Sequence, residues 1–194
     1  MIAGWRGLVA GDPQGLVEDS LVLLDHLGEA QTLVDVGSGG GLPGLPLKIV
    51  RPGLAVTLVE ADQGKAAFLV RTCAELGLRD VEVVARRAED VGHDIRYREA
   101  FDVAVARALA SMPVLAELCL PLVKVGGRLL AQKTGTEELA AAQNAIEILG
   151  GSAASVLPAA SAARASGTVV VIRKIRPTPV GYPRRPGVPK RNPL

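Results

Sequence analysis

Apolar residues recur along this chain in short runs closed by glycine, proline or charge, and these runs alternate with segments whose apolar positions fall three and four apart. The runs Leu33–Val36, Leu54–Glu60, Val81–Ala85, Phe101–Ala106, Arg128–Lys133, Ala154–Leu157 and Thr168–Ile175 predict seven strands. Helical spacing is predicted for Gly15–Leu27, Leu45–Val50, Gln63–Leu78, Ser111–Val123 and Glu137–Leu149. Strand and helix alternate through five units and then finish with two strands and no helix between them. That order predicts an α/β fold with a mostly parallel seven-stranded sheet and an antiparallel terminal strand. A chain of 194 residues, 48% hydrophobic, can bury one such core. The expected organisation is an N-terminal helical segment over 1–30, the sheet domain over 31–176 and a basic, proline-rich tail over 177–194.

The first strand ends in a glycine cluster, Gly37, Gly39, Gly41 and Gly44, and a helix-type pattern follows. Glycine there lets the backbone approach a bound molecule where a Cβ would collide. Gly39, Gly41 and Gly44 satisfy the dinucleotide pattern G-x-G-x-x-G, so an NAD-dependent oxidoreductase is one reading. Asp35 sets a carboxylate at the strand end, however, and Pro43 and Pro46 remove N–H donors around the helix start. A pyrophosphate loses donors and gains a repelling charge in that setting. A cationic ligand carrying a ribose fits better, and S-adenosyl-L-methionine is such a ligand.

Glu60 closes the second strand about twenty residues past the glycine turn, placed to accept from both ribose hydroxyls. After the third strand, Arg87-Ala88-Glu89-Asp90 reads as a loop over the ligand crevice, which makes Ala88 and Glu89 candidates for the adenine edge. The fourth strand delivers Arg107 to the same edge, and the fifth places Lys133 near the rim. Ala106-Arg107-Ala108-Leu109 lacks the Asn/Asp-Pro-Pro-aromatic pattern of amino-group methyltransferases. Cys119 lies in an apolar helix rather than in a loop, so a nucleophilic cysteine for pyrimidine carbon methylation is not in evidence.

Charge changes the picture at the C-terminal end. After Glu147 there is no Asp or Glu and there are eight Lys and Arg, so a net charge of +2 conceals an acidic body and a basic end. The tail from Arg176 carries Pro177, Pro179, Pro183, Pro186, Pro189 and Pro193 with Tyr182 among its arginines, and is expected to form neither strand nor helix. It reads equally as a solvated tail or as an RNA-binding strap in which arginines meet phosphates and Tyr182 stacks on a base. In the second case, removing 184–194 is expected to weaken RNA binding and leave cofactor affinity intact. Cys73 and Cys119 are expected to be reduced core thiols, with no metal site and no disulfide. No apolar run reaches the roughly 20 residues of a membrane span and no signal pattern follows Met1, so the expectation is a cytoplasmic protein without membrane contact.

Taken together, DVGSGGGLPGLPL, LVEAD, RAED, VARALA, the Lys133 strand and YPRRPGVPKRNPL resemble the bacterial ribosomal RNA small subunit methyltransferase G family, also called glucose-inhibited division protein B. The resemblance implies a class I S-adenosylmethionine-dependent methyltransferase fold, Rossmann-like, and methyl transfer to a guanine N7 of 16S ribosomal RNA, in naked RNA or in the small ribosomal subunit. It implies that Gly37 and Leu42 line the methionine side of the cofactor, that Glu60, Ala61 and Asp62 hold the ribose and adenosine, and that Ala88 and Glu89 hold the adenine. Arg107 is implied to lie between cofactor and substrate, with Lys133 a substrate-side cation, in a monomer that uses no metal. Asp35, Gly39 and Gly41 complete the expected cofactor set. The chain departs from the family in a shorter N-terminal helical segment and in Ser166-Gly167, where many members carry an Arg-His pair. A small-molecule methyltransferase shares this cofactor site without needing the basic tail.

Overall fold

The computed structural model describes residues 12–134, 139–161 and 164–194. Residues 1–11 of the expected N-terminal segment, and Glu137 at the expected start of a helix, lie outside the described residues. The strands are β1 Thr32–Val36, β2 Ala55–Val59, β3 Val81–Val84, β4 Phe101–Arg107, β5 Val123–Lys133, β6 Ser155–Pro158 and β7 Thr168–Arg173. The helices are α1 Pro13–Leu21, α2 Leu24–Leu27, α3 Gly44–Val50, α4 Gln63–Glu75, α5 Ala88–Val91, α6 Met112–Cys119, α7 Leu139–Ile148 and α8 Val188–Arg191.

All seven strands form one sheet in the order β3-β2-β1-β4-β5-β7-β6. Pairings from β3 to β5 are parallel, whereas β7 runs antiparallel to both β5 and β6. The C-terminal strand is therefore the antiparallel one, as the missing last crossover helix requires, but it is inserted between β5 and β6 rather than left at the edge. Both sheet faces are covered, which is why the strands read as nearly continuous apolar runs. Val34, Val36, Ala104 and Ala106 pack with α6 and α7, while Leu33, Val103 and Val105 pack with α2, α3 and α4. This alternation decides which residues can face the crevice.

Four local details differ from the patterning. The N-terminal helix starts earlier, because Asp12 caps Gly15 N at 2.8 Å and Pro13 sits where no N–H is needed, and it breaks after Leu21 so that Leu23 and Leu27 turn fully into the core. β5 starts at Val123, because Gly126 and Gly127 form an irregularity inside the strand instead of a turn before it; a Cβ at Gly127 would lie 2.5 Å from the Asp102 carbonyl. Residues 88–91 form a helical turn rather than a loop. The tail, expected to hold no regular element, carries α8, whose Pro189 lies in the first turn and so costs no hydrogen bond.

Candidate functional site

The strand order reverses between β1 and β4, and the crevice outside their carboxyl ends is where ligands of open α/β sheets bind. Gly37 and Ser38 leave β1 and donate to the Val59 carbonyl at 2.9 and 3.1 Å, which ties the glycine turn to the end of β2. Gly37 holds φ +73°, and a Cβ there would fall 2.5 Å from Leu109 Cδ1. The turn after β1 and the loop after β4 therefore touch, and the opening beside them is a cavity of about 430 Å³, within the usual range for small-ligand sites.

Glu60 is 9% exposed and bridges the cavity wall. Its Oε2 accepts from Gly39 N and its Oε1 from Asp62 N, both at 2.8 Å. Each oxygen retains a second lone pair, so the carboxylate is oriented and still able to accept ligand hydroxyls. Asp62 caps α4 through Lys65 N at 2.9 Å, which fixes the helix that carries Lys65 to the rim. Across the cavity Glu89, 4% exposed, accepts from Gly187 N at 2.9 Å and Arg87 Nη2 at 3.2 Å. Burial pushes the Glu89 carboxyl up, and the Gly187 N–H, the N–H of Glu89 itself and the Arg87 side chain with its charge outweigh it, holding the group below the ordinary carboxylate range. Lys65, Arg86, Arg87 and Lys190 line the outer part, so carboxylates sit inside and cations at the mouth.

Of the residues expected at the site, Gly37, Gly39, Glu60, Ala61, Ala88 and Glu89 line this cavity. Asp35, Gly41, Leu42, Asp62, Arg107 and Lys133 are not among the lining residues. Asp35 lies fully buried beneath the turn, where Oδ2 accepts from Gly44 N at 2.8 Å and Oδ1 has no partner. A Cβ at Gly44 would approach that Oδ2 to 2.8 Å, so the glycine serves close packing of helix on strand. Gly41 packs over Leu45 and Leu69, and Leu42 is buried. Lys133 Nζ donates to the Ala110 carbonyl at 2.7 Å and so holds the cavity-lining loop after β4.

Arg107 has the parity of Val105 and turns toward α1. Its Nη1 lies 3.2 Å from the Leu16 carbonyl and 3.5 Å from Asp19 Oδ2. Asp19, 1% exposed, also accepts from Arg164 Nε at 2.8 Å and Ser161 Oγ at 2.6 Å. Gln132 Nε2 donates to the Asp19 carbonyl at 2.7 Å. Arg107 thus belongs to a polar cluster that fastens α1 across the ends of β4 and β5. The patterning missed Lys65, Leu109, Pro189 and Lys190 as lining residues. Lys65 was legible from its spacing to the Asp62 cap; Pro189 and Lys190 carry no local signal.

The profile of the family described as rRNA small subunit methyltransferase G matches residues 13–166. The chain is 48% identical over 190 residues to the ribosomal RNA small subunit methyltransferase G of Roseiflexus sp. (strain RS-1), covering 94% of this chain and 81% of that protein. It is 47% identical over 183 residues to the protein of that name from Moorella thermoacetica, covering 92% and 76%. The chain belongs to the rRNA small subunit methyltransferase G family.

Solved structures place this family member in the S-adenosylmethionine-dependent methyltransferase fold. An O-methyltransferase dependent on that cofactor, from Thermotoga maritima, superposes with a TM-score of 0.62 at 16% identity, covering 87% of this chain and 68% of that one. An rRNA methylase from Streptococcus thermophilus gives 0.56 at 20% identity, covering 87% and 99%. The family match ends before β7 and the tail, so the part of the cavity wall made by Pro189 and Lys190 lies outside the matched segment. Cys73 and Cys119 are both free and buried. No helix among the described residues is long and apolar enough to cross a membrane.

Proposed function

We propose that the chain transfers a methyl group from S-adenosyl-L-methionine to N7 of a guanine in 16S ribosomal RNA, acting as a cytoplasmic monomer without a metal. The observation that carries this reading is the pair of buried carboxylates, Glu60 and Glu89, facing one cavity at the sheet's switch point, with cations at its mouth. A carboxylate with free lone pairs suits ribose hydroxyls, and a second suits an exocyclic amine; neither suits a pyrophosphate. The outer cations suit the phosphates of an RNA crossing the opening.

When bound, the cofactor supplies an electrophilic methyl group on a sulfonium. Guanine N7 offers a lone pair without prior deprotonation, so no side chain has to act as base. The protein's own contribution is then positioning and exclusion of water. Glu60 and Glu89 orient the nucleoside, and Gly37 with Leu109 packed against it forms one wall of the cavity. Lys133, through Ala110, keeps that wall in place. Arg107, whose guanidinium is engaged by the Leu16 carbonyl and Asp19, contributes by holding α1 across the ends of β4 and β5 rather than by meeting the guanine.

Glu60→Gln is expected to weaken S-adenosylmethionine binding by about tenfold to a hundredfold, since one charge-assisted acceptor is lost and a backbone N–H is left opposite an amide donor. Calorimetric titration with S-adenosylmethionine and with NADH in parallel checks this. Saturable binding of NADH alone would replace the methyltransferase reading with the oxidoreductase one. Methylation of deproteinised 16S RNA and of small subunits, mapped by cleavage at 7-methylguanine, tests the acceptor. Arg107→Ala is expected to lower methyl transfer by about tenfold or more with cofactor affinity changed less than about twofold, because the α1 anchor is loosened and no residue lining the cavity is replaced. Unchanged transfer would show that the Arg107 anchor of α1 has no part in the reaction.

A further inference from the structure

The tail is fastened to the body through a series of contacts that precede its last turn. Arg98 donates to the carbonyls of Thr178 and Tyr182 at 2.8 and 2.7 Å. His93 Nε2 lies 2.6 Å from the Pro183 carbonyl, and Gly92 lets Pro183 approach so closely that a Cβ there would meet Pro183 Cγ at 2.7 Å. Arg184 then engages the buried Glu117 with Nε and Nη2 at 2.8 and 2.6 Å. Past this anchor the chain turns at Gly187, φ +80°, and runs along the cavity rather than into solvent.

We propose that Gly187–Lys190 forms the adenine-end wall of the cofactor cavity and seats Glu89 for recognition of the adenine amine. Gly187 N–H is the backbone donor, from another part of the chain, that holds Glu89 Oε1. Besides the backbone N–H of Glu89 itself, the remaining donor is the Arg87 side chain, which is 53% exposed and therefore loosely held. Pro189 is buried and lines the cavity beside Ala88 and Glu89. Lys190 lines the same end with its charge exposed. The expectation that the tail is separable from the cofactor site does not fit this geometry. One face of the segment closes the cavity, and Arg185, Lys190 and Arg191 remain exposed at its surface.

This inference rests on the cofactor reading given above, and the test separates the two. A chain ending at Pro186 keeps the Arg98, His93 and Arg184 anchors and loses the wall. The readouts are calorimetric affinities for S-adenosylhomocysteine and for S-inosylhomocysteine, which carries an oxygen in place of the adenine amine, together with the thermal midpoint. The full chain is expected to prefer the adenosyl compound by about tenfold or more, as expected where a carboxylate meets a donor in one ligand and an oxygen in the other. The shortened chain is expected to bind the adenosyl compound about tenfold more weakly and to lose most of the preference. The full-length Gly187→Pro variant, which cannot donate to Glu89 or hold the turn, is expected to show the same loss with the whole tail present. Unchanged affinity and preference in both variants would overturn the proposal and leave the cofactor site standing. Absence of binding by the full chain would overturn the cofactor reading and the proposal with it.

Discussion

Arg184→Ala is expected to lower the stability of the fold by about 3 kcal/mol, at the lower end of the range for stripping the partner from a buried charge. Glu117 is fully buried on α6, in a helix whose other residues are apolar. Its carboxylate takes Arg184 N and Nε at 2.8 Å on one oxygen and Nη2 at 2.6 Å on the other. Alanine leaves only the backbone donor. Because the Arg184 side chain is 22% exposed, water can partly replace it, which keeps the expected loss at that lower end. Urea unfolding should show a lower midpoint with a nearly unchanged slope. The double variant Glu117→Leu with Arg184→Ala should recover most of the loss, since it removes the stranded charge together with its partner. A single variant as stable as the parent would mean that Glu117 does not depend on Arg184.

The strands were legible in the sequence because both faces of the sheet are covered, and a strand buried on both sides is apolar at successive positions, as in LVDV, AVTLV and FDVAVA. The glycine turn and Glu60 were legible for another reason: their spacing is set by one strand-helix-strand unit and needs no long-range information. The side to which Arg107 turns was encoded as well, in the alternation of Val103, Val105 and Arg107 against Ala104 and Ala106. It was overlooked because a charge at a strand end invites a reading as site rather than as anchor. Glu117 in MPVLAELC carried a similar hint, since an acid in an apolar helix implies a cation arriving from elsewhere. Which cation could not be read. Arg184 is 67 residues away in the chain, and the Gly187 amide is 98 residues from Glu89, so no local pattern records either pairing. A proline-rich, basic composition describes a segment's intrinsic backbone preferences and not what it docks against.

Asp35 should make the fold less stable as pH rises. Burial pushes its carboxyl up to about 7; the Gly44 N–H and the Arg107 charge oppose this, and the Glu60 charge adds to it. The native state therefore holds a proton on Asp35 that the unfolded chain, with a value of 3.8, gives up earlier. A group raised in this way costs nothing below its unfolded value, and its cost grows as pH climbs through the window from about 4 to 7. The full cost above that window is about 4 kcal/mol, from a shift of roughly three units at 1.36 kcal/mol each. Asp35→Asn keeps an oxygen for the Gly44 N–H and cannot ionise. Relative to the parent, the variant should gain stability as pH rises from about 4 to 7 and level off above that, and the difference between their urea unfolding curves cancels groups common to both. A difference independent of pH would show that Asp35 does not carry the proton. A carboxyl at this place is tolerable because its role at the turn, accepting from Gly44, is met by the neutral form as well as by the charged one. The penalty falls on the ionised state alone, which is the state that the counter-charge of Arg107, at the end of the neighbouring β4, offsets in part.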